Sequence, residues 1–197
     1  MAVELRKGQK VSLSKNTTSG EIVINLNWTQ GIEKKGFFGM KKTQSIDLDL
    51  GAFVELKDGS KHVIQALGES FGSLNAAPYA ALDGDDRTGE SEGGENIRVN
   101  GAMVSNIQRI LVYTFIYEGA ASWKEAAGIV TIKHPGGEDI VVRMDEYSTS
   151  QTMCAIAQIT SVGGGEMSVE KMVRFFNGQE DMDRAYGWGF RWVAGSK

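Results

Sequence analysis

The sequence predicts an all-β protein, a single-domain β-sandwich of two mainly antiparallel sheets with one or two short helices, spanning residues 1–197. Three observations lead there. Apolar residues alternate at strand period, or run together as β-branched stretches, through most of the chain. Turn signals recur about every 8–12 residues, the spacing of a sandwich. Glycine is abundant at 25 residues and proline scarce at two, which suits many tight turns and little linker. The βαβ alternation of a parallel nucleotide-binding sheet is absent, as are a Walker A loop and a dinucleotide fingerprint.

Taken in order, short strands are expected at Val3–Leu5 and Lys10–Leu13, then a longer one over Ile22–Trp28. After a loop, Ser45–Leu50 and Ala52–Leu56 read as two strands. The turn Lys57-Asp58-Gly59-Ser60 leads into Lys61–Ala66, and an Asp-Gly pair between apolar runs is a hairpin signal. Tyr79–Leu82 and Ile97–Val99 flank a long acidic loop. Ile107–Tyr117 is apolar on both faces and belongs at the centre of a sheet. Ala120–Ala127 has helix formers for two turns. A second hairpin joins Ile129–Lys133 to Ile140–Met144 through His134-Pro135-Gly136-Gly137. Thr152–Val162 and Met167–Phe176 pair across Gly163-Gly164-Gly165. Gln179–Ala185 reads as a short helix. The alternating large residues of Trp188-Gly189-Phe190-Arg191-Trp192 read as a last strand, Trp188–Val193, sealing the sandwich.

Composition narrows the function. Hydrophobic content of 41%, charge of 23% and a net charge of −4 are those of an ordinary globular protein, and no long basic tract suits nucleic acid. The opening residues lack an apolar core of signal-peptide length and no run approaches a membrane span, so a cytoplasmic location is expected. Cys154 is the single cysteine, which excludes an internal disulfide, and with only His62 and His134 beside it there is no ligand set for structural zinc. Its neighbours Met153, Ala155 and Ile156 mark it as a buried, inert thiol. A single thiol without a resolving partner suits no redox chemistry, and neither histidine has a Cys nucleophile near it in sequence, so no enzymatic activity is expected. Trp28, Trp123, Trp188 and Trp192 read as packing residues rather than a ligand cage.

Two acidic segments carry the chemistry. From Asp83 to Asn96 the chain holds six carboxylates (Asp83, Asp85, Asp86, Glu90, Glu92 and Glu95) against one cation, Arg87, a local charge of −5. Everything outside sums to +1. Carboxylates packed this closely need either screening water or a cation among them, and the hard-cation reading is calcium. The loop is not an EF-hand: counted from Asp83, Arg87, Thr88 and Gly94 stand where that motif needs an oxygen ligand, glycine and glutamate. In Ile46-Asp47-Leu48-Asp49-Leu50, the strand period puts Asp47 and Asp49 on one face. That face is either exposed to solvent or shares a metal with the acidic loop.

A third segment, Glu33 to Lys42, sets Lys34, Lys35, Lys41 and Lys42 around an apolar stretch that includes Phe37 and Phe38. Such a pattern either packs on its own domain or a partner subunit, or contacts an anionic membrane surface.

With both acidic segments read, the sequence resembles the TerD-domain family, the bacterial tellurium-resistance and general-stress proteins. The resemblance starts at Leu5-Arg6-Lys7-Gly8-Gln9-Lys10-Val11-Ser12-Leu13 and runs through Leu26-Asn27-Trp28, Ile46-Asp47-Leu48-Asp49 and Ala52-Phe53. Its most specific part is Gly84-Asp85-Asp86-Arg87-Thr88-Gly89-Glu90, close to the family's Gly-Asp-Asn-Arg-Thr-Gly-Glu. Ile64-Gln65-Ala66-Leu67-Gly68 and Asp183-Arg184-Ala185-Tyr186-Gly187-Trp188-Gly189 are more similar to the TerA branch.

The resemblance implies a non-enzymatic, calcium-binding sandwich acting in tellurite resistance and stress response, through assembly with other tellurium-resistance proteins near the membrane. Its ligands would include Asp47, Asp49, Asp85, Asp86 and Glu90, with Glu92, Glu95 and Asn96 completing the candidate set. The alternative is a metal-independent module whose acidic loop docks basic partners. Two departures bear on ion number. Gly93-Gly94-Glu95-Asn96 stands where the family often has Gly-Asp-Asp-Glu, and Gly51 where it commonly has a small hydroxyl residue.

Overall fold

The computed structural model describes residues 2–13, 20–29, 31–35, 41–84, 93–119 and 122–193, with the backbone alone at 31–35 and 41–44. Its strands are β1 (Ala2–Glu4), β2 (Lys10–Ser12), β3 (Glu21–Asn27), β4 (Gly31–Lys35), β5 (Lys41–Ser45), β6 (Asp47–Leu56), β7 (Lys61–Ile64) and β8 (Gly72–Ser73). They continue with β9 (Ala80–Leu82), β10 (Glu95–Asn100), β11 (Ile107–Glu118), β12 (Ile129–Lys133), β13 (Asp139–Arg143), β14 (Met153–Gly163) and β15 (Glu166–Phe176). The α-helices among the described residues are α1 (Trp123–Ala126) and α2 (Gln179–Tyr186), with 3-10 helices at Leu67–Glu69 and Gly101–Asn106.

Two sheets form the sandwich. The first runs β1-β13-β12-β3-β10-β9-β8 and the second β2-β15-β14-β11-β6-β7, while β4 and β5 pair only with each other. All pairings are antiparallel except β1 with β13. The chain therefore begins by placing β1 in one sheet and β2 in the other, a clasp across one side.

Alternation explains the main core. Ile22, Ile24 and Leu26 of β3 and Ile97 and Val99 of β10 face Leu48, Leu50, Ala52 and Val54 of β6 across the sandwich. The central strand β11 is apolar on both faces because it has a core on each side. Ile110 and Val112 enter the main one, while Leu111, Tyr113 and Phe115 enter a second on the outside of the six-stranded sheet. Cys154 is buried in the main core, as its neighbours suggest. Trp28, Trp123 and Trp188 are also buried.

Four expectations are corrected. Ser45–Leu50 and Ala52–Leu56 are not two strands: β6 runs unbroken through Gly51. The segment read as a loop before Ser45 contains the β4–β5 hairpin, whose lysine-rich composition hides the strand period. The first helix is one turn, Trp123–Ala126, capped by the Ser122 side chain. Finally, the segment read as a last strand, Trp188–Val193, belongs to no sheet. It is a strap packing Trp188, Phe190 and Trp192 on the second core.

The strap is held by polar groups because a segment without a strand partner leaves its N–H groups unused. The Asp183 carboxylate, at the end of α2, accepts from Gly189 N at 2.6 Å, Phe190 N at 2.8 Å and Trp192 Nε1 at 2.8 Å. Lys61 Nζ donates to Trp188 O at 2.7 Å. The Arg109 guanidinium lies 4.2 Å over the Trp188 ring and is paired with Glu55 at 2.5 Å.

Candidate metal centre

Asp47 and Asp49 occupy the first half of β6. Leu48 and Leu50 turn into the main core, so the aspartates share the opposite face with Gly51 and Phe53. That face is not exposed to solvent: Asp47 is 8% exposed and Asp49 0%. Gly51 leaves no room for a side chain, since a Cβ there would stand 2.3 Å from Cζ of Tyr113. The Tyr113 ring thus occupies the space that a side chain at position 51 would need. Its hydroxyl donates to Gln65 Oε1 at 2.7 Å. Burial pushes the Tyr113 phenol well above its ordinary range; the Gln179 hydrogen bond opposes that shift and the Asp49 charge adds to it.

The acidic loop is fastened at both ends. Asp83 N donates to Asn96 O at 2.9 Å, and the Asp83 carboxylate receives Arg98 Nε at 2.8 and 2.7 Å. Arg98 also reaches Glu21 at 3.0 Å. At the other end Gly94 has φ +67, and a Cβ there would lie 2.0 Å from Leu26 O, so the return into β10 needs glycine.

Glu95 shares its parity with Ile97 and Val99, is 2% exposed and crosses between the sheets. The last pair of β7 with β6 is Ile64 with Ala52, which leaves the edge of β6 open beyond it. There Glu95 Oε2 accepts Leu50 N–H at 2.6 Å. Asn96 faces the other way, its Oδ1 accepting from Asn25 Nδ2 at 2.9 Å. The same Asn25 amide donates to Gly93 O.

The structure thus brings the returning end of the acidic loop against the residue next to Asp49. Asp85, Asp86, Glu90 and Glu92 lie outside the described residues. Among the described residues, no group of three or more His, Cys, Asp or Glu side chains could hold a metal ion. Asp47, Asp49 and Glu95 are therefore not a cage by themselves. Glu95 and Asn96 each already hold a protein N–H, which makes them fasteners of the loop. Sequence reasoning missed Asn25 and the pairing of Asp83 with Arg98, because both depend on strand register.

The donors in these two segments are carboxylate and carbonyl oxygens, the chemistry of a hard cation. The nitrogen and sulfur groups stand elsewhere. His62 Nε2 is 3.4 Å from Ser60 Oγ in a turn, and burial pushes the Cys154 thiol well above its ordinary range. Among the described residues no helix is long and apolar enough to cross a membrane.

A β-sandwich whose two acidic segments meet at the start of one strand defines the class. The TerD domain profile matches residues 1–134, and the chain belongs to the TerD-domain family. Within it the chain is TerA-like: it is 47% identical over 189 residues to the tellurium resistance protein TerA of Alcaligenes sp., covering 95% of this chain and 56% of that one. It is 32% identical over 138 residues to the tellurium resistance protein TerX of Serratia marcescens, covering 60% of this chain and 64% of that one. The chain thus spans 56% to 64% of the length of these relatives. Its fold is similar to that of a homologue of telluride resistance protein TerD from Streptomyces coelicolor A3(2), with a TM-score of 0.59 at 17% identity, covering 83% of this chain and 94% of that one. A crystallised protein of unknown function matches with a TM-score of 0.58 at 15% identity, with the same coverage.

Proposed function

We propose that the chain is a calcium-binding, non-enzymatic module of a tellurite-resistance and stress-response system, working through assembly with other proteins of that system. The observation that carries this reading is the Glu95–Leu50 bond, which ties the acidic loop to β6 beside the buried Asp49. Asp47 and Asp49 would hold the ion together with Asp85, Asp86, Glu90 and Glu92, while Glu95 and Asn96 fix the base of the loop. When bound, calcium supplies charge neutralisation among these carboxylates and ties the loop to the strand. The buried Cys154 and the separated His62 and His134 favour no redox or nucleophilic role.

Calorimetric titration of the full chain, with melting curves in calcium and in chelator, tests this. Calcium at 100-fold its dissociation constant is expected to add about 2.7 kcal/mol of stability. Asp47→Ala and Asp85→Ala should each diminish that gain. Absence of binding at millimolar calcium would overturn the calcium reading. In that case partner capture indifferent to chelator would favour the metal-independent module, in which the acidic loop docks basic partners.

A further inference from the structure

The β4–β5 hairpin is a part of the fold that the metal reading leaves unused. It pairs with neither sheet and links β3 of one to β6 of the other. Its base is anchored, because Trp28 Nε1 donates to Ile46 O at 2.8 Å and Trp28 itself is buried. Its far end is set by register. Lys34 lies opposite Lys42 and Lys35 opposite Lys41, so the two pairs farthest from the base are lysine against lysine.

That placement works against the hairpin itself. Like charges directly opposite each other destabilise a strand pair, and a two-stranded sheet is marginal to begin with. The segment Glu33–Lys42 carries four lysines against one glutamate, or +3, in a chain of net charge −4, so the remainder sums to −7. An anionic surface would relieve the lysine repulsion, while the net negative charge of the remainder disfavours its contact elsewhere. The residues that join the paired ends are Gly-Phe-Phe-Gly-Met in sequence, chemistry that suits a lipid interface better than an acidic protein or a nucleic-acid backbone.

We infer that Lys34, Lys35, Lys41 and Lys42, brought together by the β4–β5 register, form a docking point for an anionic lipid bilayer. The contact is peripheral and electrostatic. Each lysine contributes about fivefold to partitioning onto such a surface, and the effect shrinks as salt screens it.

The test is co-sedimentation of the full chain with phosphatidylserine-containing vesicles and with pure phosphatidylcholine vesicles, at low and high salt, in calcium and in chelator. The expected result is salt-sensitive binding to the anionic vesicles alone, in either divalent condition. Lys34→Gln with Lys42→Gln should weaken it about 25-fold, with the quadruple glutamine variant near background. Four results would overturn the inference: no anionic-vesicle binding in either condition, equal binding to neutral vesicles, undiminished binding by the quadruple variant, or capture by polyglutamate without vesicle binding. Melting curves supply the folding control. Removing like-charge pairs should leave the melting temperature unchanged or higher, whereas a fall would mean that the lysines serve the fold and would also overturn the inference. The calcium titration is a separate measurement, so either reading can fail while the other stands.

Discussion

The two cores on either side of the six-stranded sheet are built differently. The main core is closed by a second sheet and is largely aliphatic, with Ile22, Ile24, Leu48, Leu50, Ile97 and Val99 meeting across it. The outer core is largely aromatic, with Phe53 within 5.6 Å of Tyr113, Trp188, Phe190 and Trp192, centroid to centroid. It is closed by a strap without strand pairing. A sheet satisfies its own backbone, so only side-chain shape matters in the main core. The strap cannot do so, and its backbone N–H groups turn to one carboxylate, Asp183, 4% exposed, which holds three N–H donors, while Lys61 and Arg109 add to the hold at Trp188. The lesson is that aromatic area covers a face but polar anchoring chooses what covers it.

The largest effect that would break this contrast is Asp183→Ala. It strands the Gly189 and Phe190 amides and the Trp192 indole, and is expected to cost about 2–4 kcal/mol. Hydrogen exchange should rise at Gly189 and Phe190 while Ile24 and Ile97 stay protected. Equal loss of protection in both cores would show that they do not differ in the way described. Next is Gly51→Ser, which drives a Cβ into the Tyr113 ring. Overpacking of this kind costs about 1–3 kcal/mol in urea unfolding. Paired with Tyr113→Ala, the two losses should add up to less than their sum.

The smallest effect is Tyr113→Phe, which removes the bond to Gln65 and should cost about 1 kcal/mol at neutral pH. It also sharpens the comparison through pH. The folded phenol is held above its ordinary value by burial, so the unfolded state loses its proton first as pH rises. Stability from this group is fully present below about pH 10 and falls above it. Denaturant titrations should therefore show a shallower alkaline decline in the phenylalanine variant.

Most of the sandwich was legible from residue pattern because its strands obey period two, Ile107–Tyr117 at the centre included. The strap was not, since Trp188-Gly189-Phe190-Arg191-Trp192 imitates strand alternation while its partner is a carboxylate on α2. The unbroken β6 was hidden because Gly51 looks like a break until the Tyr113 ring is seen above it. The hairpin was hidden because lysines opposite lysines carry no apolar period. At the candidate site, Asp47 and Asp49 were legible as a same-face pair, but not their burial. Nor was the bond of Glu95 to Leu50, which depends on where β7 stops.

The clasp made by β1 and β2 has a consequence for how the chain comes to be folded. Ala2 pairs with Asp139 and Lys10 with Glu170, so each half of the clasp closes on a strand far along the sequence. Until then Val3, Leu5, Val11 and Leu13 stay without their partners, and closing such distant pairs is slow. Apolar residues left open in this way are natural clients for chaperones, and the sandwich locks only when β13 and β15 are in place.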